Sequence, residues 1–138
     1  MQPAQRKIVL IAGARPQFIK AAMLARRAAD ADIPRFELVL VHTGQHYDAN
    51  MSELFIRELG LPQPQHRLGI GPASVPGQTA AILRRLELVL ESEQPAAVVV
   101  LGDTTSTLAS ALCAVQLGFP LVHVEAGERV YRRRRMPE

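Results

Sequence analysis

The sequence predicts an α/β protein, a doubly wound sheet of parallel strands with helices on both faces. Three observations carry that prediction. Short, uninterrupted apolar runs rich in β-branched residues recur along the chain, as strands covered on both faces should read. Amphipathic segments long enough for helices separate them. The central run, Ala96 to Thr107 (AAVVVLGDTTST), breaks at one glycine and delivers a carboxylate to a strand-to-helix turn. In an open sheet of this kind ligands bind beyond the carboxyl ends of the strands, which makes Asp103 the first candidate site residue. A competing reading makes Asp103 only the N-cap of the helix that follows.

The elements follow in order. Lys7 to Ala12 reads as a buried strand, with Gly13-Ala14-Arg15-Pro16 as its exit loop and Pro16 suited to the first turn of a helix. That helix runs to about Ala29, with Phe18, Ile19, Ala22, Met23 and Arg26 at helical spacing. Phe36 to Val41 is the second strand, leaving through the polar loop His42 to Asp48. Asn50 to Leu59 is an amphipathic helix with Met51, Leu54, Phe55 and Leu59 on one side, closed by Gly60 and Pro62. Gln65 to Ile70 fits a short edge strand, and Gly71 to Gly77 a loop. Gln78 to Glu91 is helical with Ile82, Leu86, Val89 and Leu90 inward. After the central strand, Leu108 to Leu117 is apolar nearly all round and predicts a buried helix. Pro120 to Val124 is the last strand.

A chain of 138 residues, 48% hydrophobic, is long enough to bury one core, so one domain is expected over residues 1–130 with a basic tail at 131–138. The apolar run behind the charged start, Ile8 to Ala14, is short for a signal peptide and far short of a membrane span, which predicts a soluble cytoplasmic protein with no membrane partner. The net charge of +3 is concentrated: Arg132 to Arg135 supplies four of the sixteen basic residues, and the rest of the chain sits at −1. With 4% aromatic residues and no tryptophan there is little to stack bases on, so no nucleic-acid partner is expected. Cys113, the single cysteine, lies in an apolar segment and reads as a buried hydrophobe. No metal site is indicated, since the two histidines of the His42 to Asp48 loop lack a third ligand.

With the strand order 3-2-1-4-5, the switch point falls between the first strand and the Val98 strand. The Gly13 to Arg15 loop then lies beside the Gly102 to Thr104 loop, and Glu125 arrives at the exit of the next strand. Arg15, Asp103 and Glu125 therefore gather at one end of the sheet, a pattern suited to an anionic substrate handled by acid and base groups. Glu125 has a plainer alternative, pairing with Arg129 or capping a turn. Neither Gly-x-Gly-x-x-Gly nor a P-loop is present, so no dinucleotide or ATP cofactor is expected.

At these same residues the chain resembles the non-hydrolysing UDP-N-acetylglucosamine 2-epimerases. The matching segments are GARPQFIK (Gly13 to Lys20), HTGQHYD (His42 to Asp48), GDTTSTL (Gly102 to Leu108) and HVEAG (His123 to Gly127), with Arg-Arg-Met-Pro-Glu at the end. The resemblance implies the Rossmann-like N-terminal half of a GT-B type fold, whose substrate lies in the cleft between two domains. It implies a cytoplasmic isomerase of cell-surface polysaccharide biosynthesis, a homodimer when full length, that needs no cofactor. It implies UDP-N-acetylglucosamine and UDP-N-acetylmannosamine as the sugars interconverted, by elimination and re-addition of UDP through 2-acetamidoglucal. By motif match Asp103, Glu125 and Glu138 are the catalytic carboxylates and Arg15 the arginine near the substrate's phosphates. Lys20, Gln45 and His46 match a second, regulatory UDP-sugar site.

Two departures shape the expectation. Gln17 stands where many members have glutamate, a variant associated with relatives acting on other UDP-2-acetamido sugars, including a 2,3-diacetamido uronic acid. The run between Gly127 and Met136 is one residue longer than the common pattern, which affects the alignment of Glu138. Because the resemblance implies a second domain holding most of the UDP and a catalytic histidine, the 138-residue chain alone is expected to fold but to be inactive, with the tail from Tyr131 to Arg135 disordered. The other classes left open are a GT-B glycosyltransferase half and a non-catalytic sugar-nucleotide binding module.

Overall fold

The computed structural model describes residues 5–30, 36–44 and 49–129. Gln45, His46, Glu138 and the basic tail lie outside the described residues. The elements are β1 (Arg6–Ala12), α1 (Arg15–Ala28), β2 (Phe36–His42), α2 (Ala49–Glu58), β3 (His66–Arg67), α3 (Val75–Glu93), β4 (Ala97–Leu101), α4 (Thr105–Gln116) and β5 (Leu121–Val124). The strands pair in parallel in the order β3-β2-β1-β4-β5, as expected for a sheet wound in both directions from β1. The register runs from Arg6 opposite Phe36 to Ala12 opposite His42, and from Val98 opposite Leu121 to Leu101 opposite Val124.

Strand residues alternate between two apolar layers. Val9, Ile11, Val39, Val41, Val98 and Val100 pack against Ile82, Leu86 and Leu90 of α3 and Ala109, Cys113 and Ala114 of α4. Leu10, Ala12, Leu40 and Leu101 pack on the other side against Phe18, Ala21 and Ala22 of α1 and Ile56 of α2. Burying a side chain of valine or leucine size stabilises by roughly 1.5–3 kcal/mol, against a few tenths for a surface helix pair. These two layers therefore decide which face of each helix turns inward. Among the described residues no helix is long and apolar enough to cross a membrane.

That constraint explains where the helices differ from expectation. In α1 the buried face is Gln17, Phe18, Ala21 and Ala22, while Ile19 and Met23 are 52% and 63% exposed. Alanines at the contact let the helix settle close to the sheet, and larger side chains there would hold it off. In α2 Ile56 is fully buried, and Phe55 with Leu59 just beyond the helix packs against the same layer as expected, whereas Leu54 is exposed. The helix α3 starts at Val75, not Gln78: Ser74 caps it by accepting from the Gly77 N–H at 3.2 Å, and Pro76 occupies the first turn, where its missing N–H costs nothing. The helix α4 is not buried all round. Its small residues Ser106, Ala109, Ser110, Cys113 and Ala114 face inward, and Leu108, Leu112 and Val115 form an exposed apolar face.

The carboxyl ends of β1 and β2 meet the start of α4 at Gly13. The Thr43 and Ser106 hydroxyls bond each other at 2.8 Å, and a Cβ on residue 13 would lie 2.1 Å from the first and 2.5 Å from the second. Gly13→Ala must push this bonded pair apart and is expected to destabilise the chain by about 1–3 kcal/mol, read from the urea midpoint.

Elsewhere Glu93, ending α3, ties the layers together, accepting from Lys7 Nζ at 2.7 Å and bonding His66 Nε2 at 2.6 Å. The hydrogen bond from Lys7, followed by that from His66, holds the Glu93 carboxyl below its usual value of 4.5, and the bond to Glu93 raises Lys7 above 10.5. The carboxylate contribution is present above pH 4.5 and is lost as pH falls through the depressed folded value. The lysine contribution is present below pH 10.5 and is lost as pH rises through the raised one. Glu93→Gln is expected to lower the melting temperature at pH 7, with the gap to wild type closing at both extremes in a pH series of thermal melts.

Candidate functional site at the carboxyl rim of the sheet

Three strand tips build the candidate site. At the exit of β4 the chain turns through Gly102, whose φ of +70° is a left-handed conformation that glycine adopts without penalty. The turn is pinned to the neighbouring strand twice: Gly102 N–H donates to the Val124 carbonyl at 3.0 Å, and His123 Nε2–H donates to the Gly102 carbonyl at 2.6 Å. Thr104, not Asp103, caps α4, its Oγ1 accepting from the Thr107 N–H at 3.3 Å. The capping alternative for Asp103 is thereby removed. Its half-buried carboxylate has no hydrogen bond or ion pair among the described residues.

At the exit of β5, Glu125 follows Val124, the register partner of Leu101. Its φ of +64° is unusual for a side-chain-bearing residue and costs roughly 1–2 kcal/mol. The expected alternative partner, Arg129, does not take it up. That guanidinium donates to the Ala126 and Glu128 carbonyls at 2.8 and 2.7 Å. Glu125 is instead ion-paired with Lys20 of α1, so a lysine matched from sequence to a regulatory position stands against the β5 carboxylate.

At the exit of β1, Arg15 opens α1 and is exposed, its guanidinium carbon 4.9 Å from the centre of the Phe55 ring. The structure thus brings Asp103, Glu125 and Lys20 to adjoining strand tips, while Arg15 lies on the same rim turned toward α2. Beneath them Gln17, only 3% exposed, spans the switch point. Its Oε1 accepts from the Gly13 and Ala14 N–H groups at 2.7 and 3.0 Å. Its Nε2 donates to the Leu101 carbonyl at 2.7 Å and to the Thr104 and Thr107 hydroxyls at 3.0 and 3.1 Å. His42, the last residue of β2, stacks on Phe18 at 5.0 Å. Burial, with the Arg67 charge adding, lowers its pKa and keeps the ring neutral at pH 7. Cys113 is a buried core thiol raised to about 11 by burial. Among the described residues no group of three potential ligands could hold a metal ion.

Sequence reasoning passed over Gln17, Thr104 and Thr107 as site-building residues, and His123 as a brace. One signal was available: a glutamine at the third position of a helix with no capping side chain is placed to reach back to the cap backbone, half of a capping box. Chemically, the rim offers carboxylates that can take or return a proton beside cations that can meet a phosphate.

The family model described as UDP-N-acetylglucosamine 2-epimerase matches residues 27–138. A UDP-2,3-diacetamido-2,3-dideoxy-D-glucuronate 2-epimerase from Pseudomonas aeruginosa is 46% identical over 96% of this chain and 36% of its own length. A UDP-N-acetylglucosamine 2-epimerase from Methanocaldococcus jannaschii is 42% identical over 96% of this chain and 35% of its own. The crystal structure of the UDP-GlcNAc 2-epimerase from that organism, in complex with UDP-GlcNAc and UDP, superposes with a TM-score of 0.85 at 40% identity, covering 92% of this chain and 34% of the other. That of the Neisseria meningitidis enzyme bound to UDP-GlcNAc gives 0.81 at 30% identity, covering 91% and 33%. The chain spans about a third of the length of the curated relatives it matches. With its strand order, its rim and these likenesses taken together, the chain belongs to the UDP-N-acetylglucosamine 2-epimerase family.

Proposed function

We propose that this chain is the N-terminal domain of a UDP-sugar 2-epimerase that interconverts UDP-N-acetylglucosamine and UDP-N-acetylmannosamine. The observation that carries the proposal is the pairing of Leu101 with Val124, which puts Asp103 and Glu125 on neighbouring strand exits at one rim. The C2 proton of the sugar has no adjacent carbonyl to acidify it. As the C1–O bond breaks and UDP departs with the bonding electrons, positive charge grows at C1 and the C2 proton becomes removable. A carboxylate accepts that proton, leaving 2-acetamidoglucal. Re-addition of UDP at C1, with a proton delivered to the opposite face of C2, gives the epimer. Two faces call for more than one acid–base group, and Asp103, Glu125 and Glu138 are assigned to that work.

Arg15 is assigned to the substrate's phosphates. Its contact with Phe55 is a cation–π pair at an exposed site, worth about 0.5–1 kcal/mol, which a charge-assisted bidentate bond to phosphate exceeds. Lys20, Gln45 and His46 are assigned as further UDP-sugar contacts, Lys20 with the added task of neutralising Glu125. The enzyme is read as a cytoplasmic homodimer of polysaccharide biosynthesis with no nucleic-acid partner, and the 138-residue chain alone as inactive. A second substrate has one specific support: the Pseudomonas aeruginosa relative, at 46% identity, is a UDP-2,3-diacetamido-2,3-dideoxy-D-glucuronate 2-epimerase.

The test is turnover in heavy water by the enzyme carrying this domain, with both UDP-sugars offered separately. Deuterium at C2 of the product is expected, whereas UDP release with no label at C2 would show a glycosyltransferase half instead. Asp103→Asn should reduce turnover by about 100-fold or more, and measurable turnover by the 138-residue chain alone would refute its assignment as an incomplete catalyst. Glu125→Asn is expected to abolish turnover while raising the unfolding free energy by up to about 1 kcal/mol, because asparagine tolerates the left-handed backbone.

A further inference from the structure

The carboxamide of Gln17 is oriented by partners that admit no other assignment. The Gly13 and Ala14 N–H groups can only donate and the Leu101 carbonyl can only accept, so Oε1 must face the β1 exit and Nε2 the β4 exit. The hydroxyls agree. Thr107 Oγ1–H donates to the Leu101 carbonyl at 2.6 Å and Thr104 Oγ1–H is 3.2 Å from Thr107 Oγ1, so both oxygens present lone pairs to Nε2. The pocket at Nε2 is therefore made of acceptors alone.

These five bonds close around the two candidate substrate-handling loops. Arg15 lies between Ala14 and Gln17, and Asp103 lies between Leu101 and Thr104, two of the groups Nε2 holds. From the far side, His123 and the Val124 carbonyl fix Gly102. The segment bearing Asp103 is thus held from both flanks, and one buried side chain spans both tips across the switch point.

We propose that Gln17 is the positioning residue that sets the Asp103 loop against the Arg15 loop, and that in this chain its amide does so independently of pH, because this clasp donates at one end and accepts at the other. For its bearing on turnover the proposal rests on the epimerase reading, in which neighbouring carboxylates exchange protons: a clasp with no titratable group keeps its geometry through those exchanges. In this chain's clasp a glutamate, the residue many members of the family carry here, would set an oxygen 2.7 Å from the Leu101 carbonyl, which favours the neutral acid over the carboxylate.

The carboxyl introduced by Gln17→Glu should accordingly have a folded pKa raised above its unfolded value of about 4.3. The folded state then binds the extra proton, and the variant loses stability as pH rises from about 4.3 to the folded value. The experiment is a series of thermal melts of wild type, Gln17→Glu and Gln17→Met from pH 5 to 8, with amide NMR spectra of the first two. The wild-type to Gln17→Glu gap should widen by about 5 °C or more across the series, and the gap to Gln17→Met should stay constant. The Arg15 and Thr104 amides should titrate together in Gln17→Glu, with one midpoint above pH 5, and not in wild type.

A Gln17→Glu gap that does not change with pH, or loop amides that titrate independently, would overturn the proposal. Should Gln17→Glu fold at no pH, hydrogen exchange in the wild type decides: the Gln17 carboxamide protons should be protected along with the Gly13 amide, and exchange at the rate of free glutamine would overturn it. Failure of the enzyme carrying this domain to turn over either UDP-sugar would sink the epimerase reading and leave these pH results standing.

Discussion

The architecture depends on a close approach at the switch point. For β1 and β2 to end at the same height against the first turn of α4, nothing larger than a hydrogen can project from residue 13, because the Thr43 and Ser106 hydroxyls occupy that space and bond each other there. A glycine costs conformational entropy, and here that cost is offset by the buried, mutually bonded hydroxyls of Thr43 and Ser106 under the rim. The side chains at Arg15, Asp103 and Glu125 lie on three strand exits along the same rim. The Arg15 and Asp103 loops are tied to each other by the buried Gln17 amide.

Stability and site construction use different parts of the chain. The two apolar layers hold the sheet through Val9, Val41 and Val98 on one side and Leu10, Leu40 and Leu101 on the other. The rim carries the unfavourable features: a positive φ at Glu125, a half-buried carboxylate at Asp103 without a partner among the described residues, and a buried His42 whose Nε2 lacks one as well. Such features persist only when the surrounding structure over-determines them. Here the braces are the Gln17 amide, the His123 bond to Gly102 and the pairing of β4 with β5.

Much of the fold was legible in the sequence because strands buried on both faces leave a strong signal. The runs Lys7 to Ala12, Phe36 to Val41 and Val98 to Leu101 each fall inside an observed strand. Helix faces were harder to read. Ile19, Met23 and Leu108 looked inward by hydrophobicity, but the sheet selects helices by how closely they approach, which favours Ala21, Ala22 and Ala109. Proline and glycine in Val75-Pro76-Gly77 resembled a loop because the same residues serve the first helical turn. The adjacency of the Asp103 and Glu125 tips followed from strand order alone. The partner of Glu125 did not, since Lys20 lies 105 residues away, and neither did the Gln17 clasp, whose contacts with Leu101, Thr104 and Thr107 span 84 to 90 residues.

The single thiol offers a clock on the molecule's breathing. Cys113 is buried where α4 packs against α3, its sulfur 3.8 Å from the Leu83 carbonyl, and burial holds it protonated. A thiol-specific reagent reaches it more readily when those two helices part, so a rise in labelling rate reports loosening of that layer. The sensor lies on the face of the sheet opposite α1 and α2, so it distinguishes loosening of the α3–α4 layer from fraying of the other, without any residue being added to the chain.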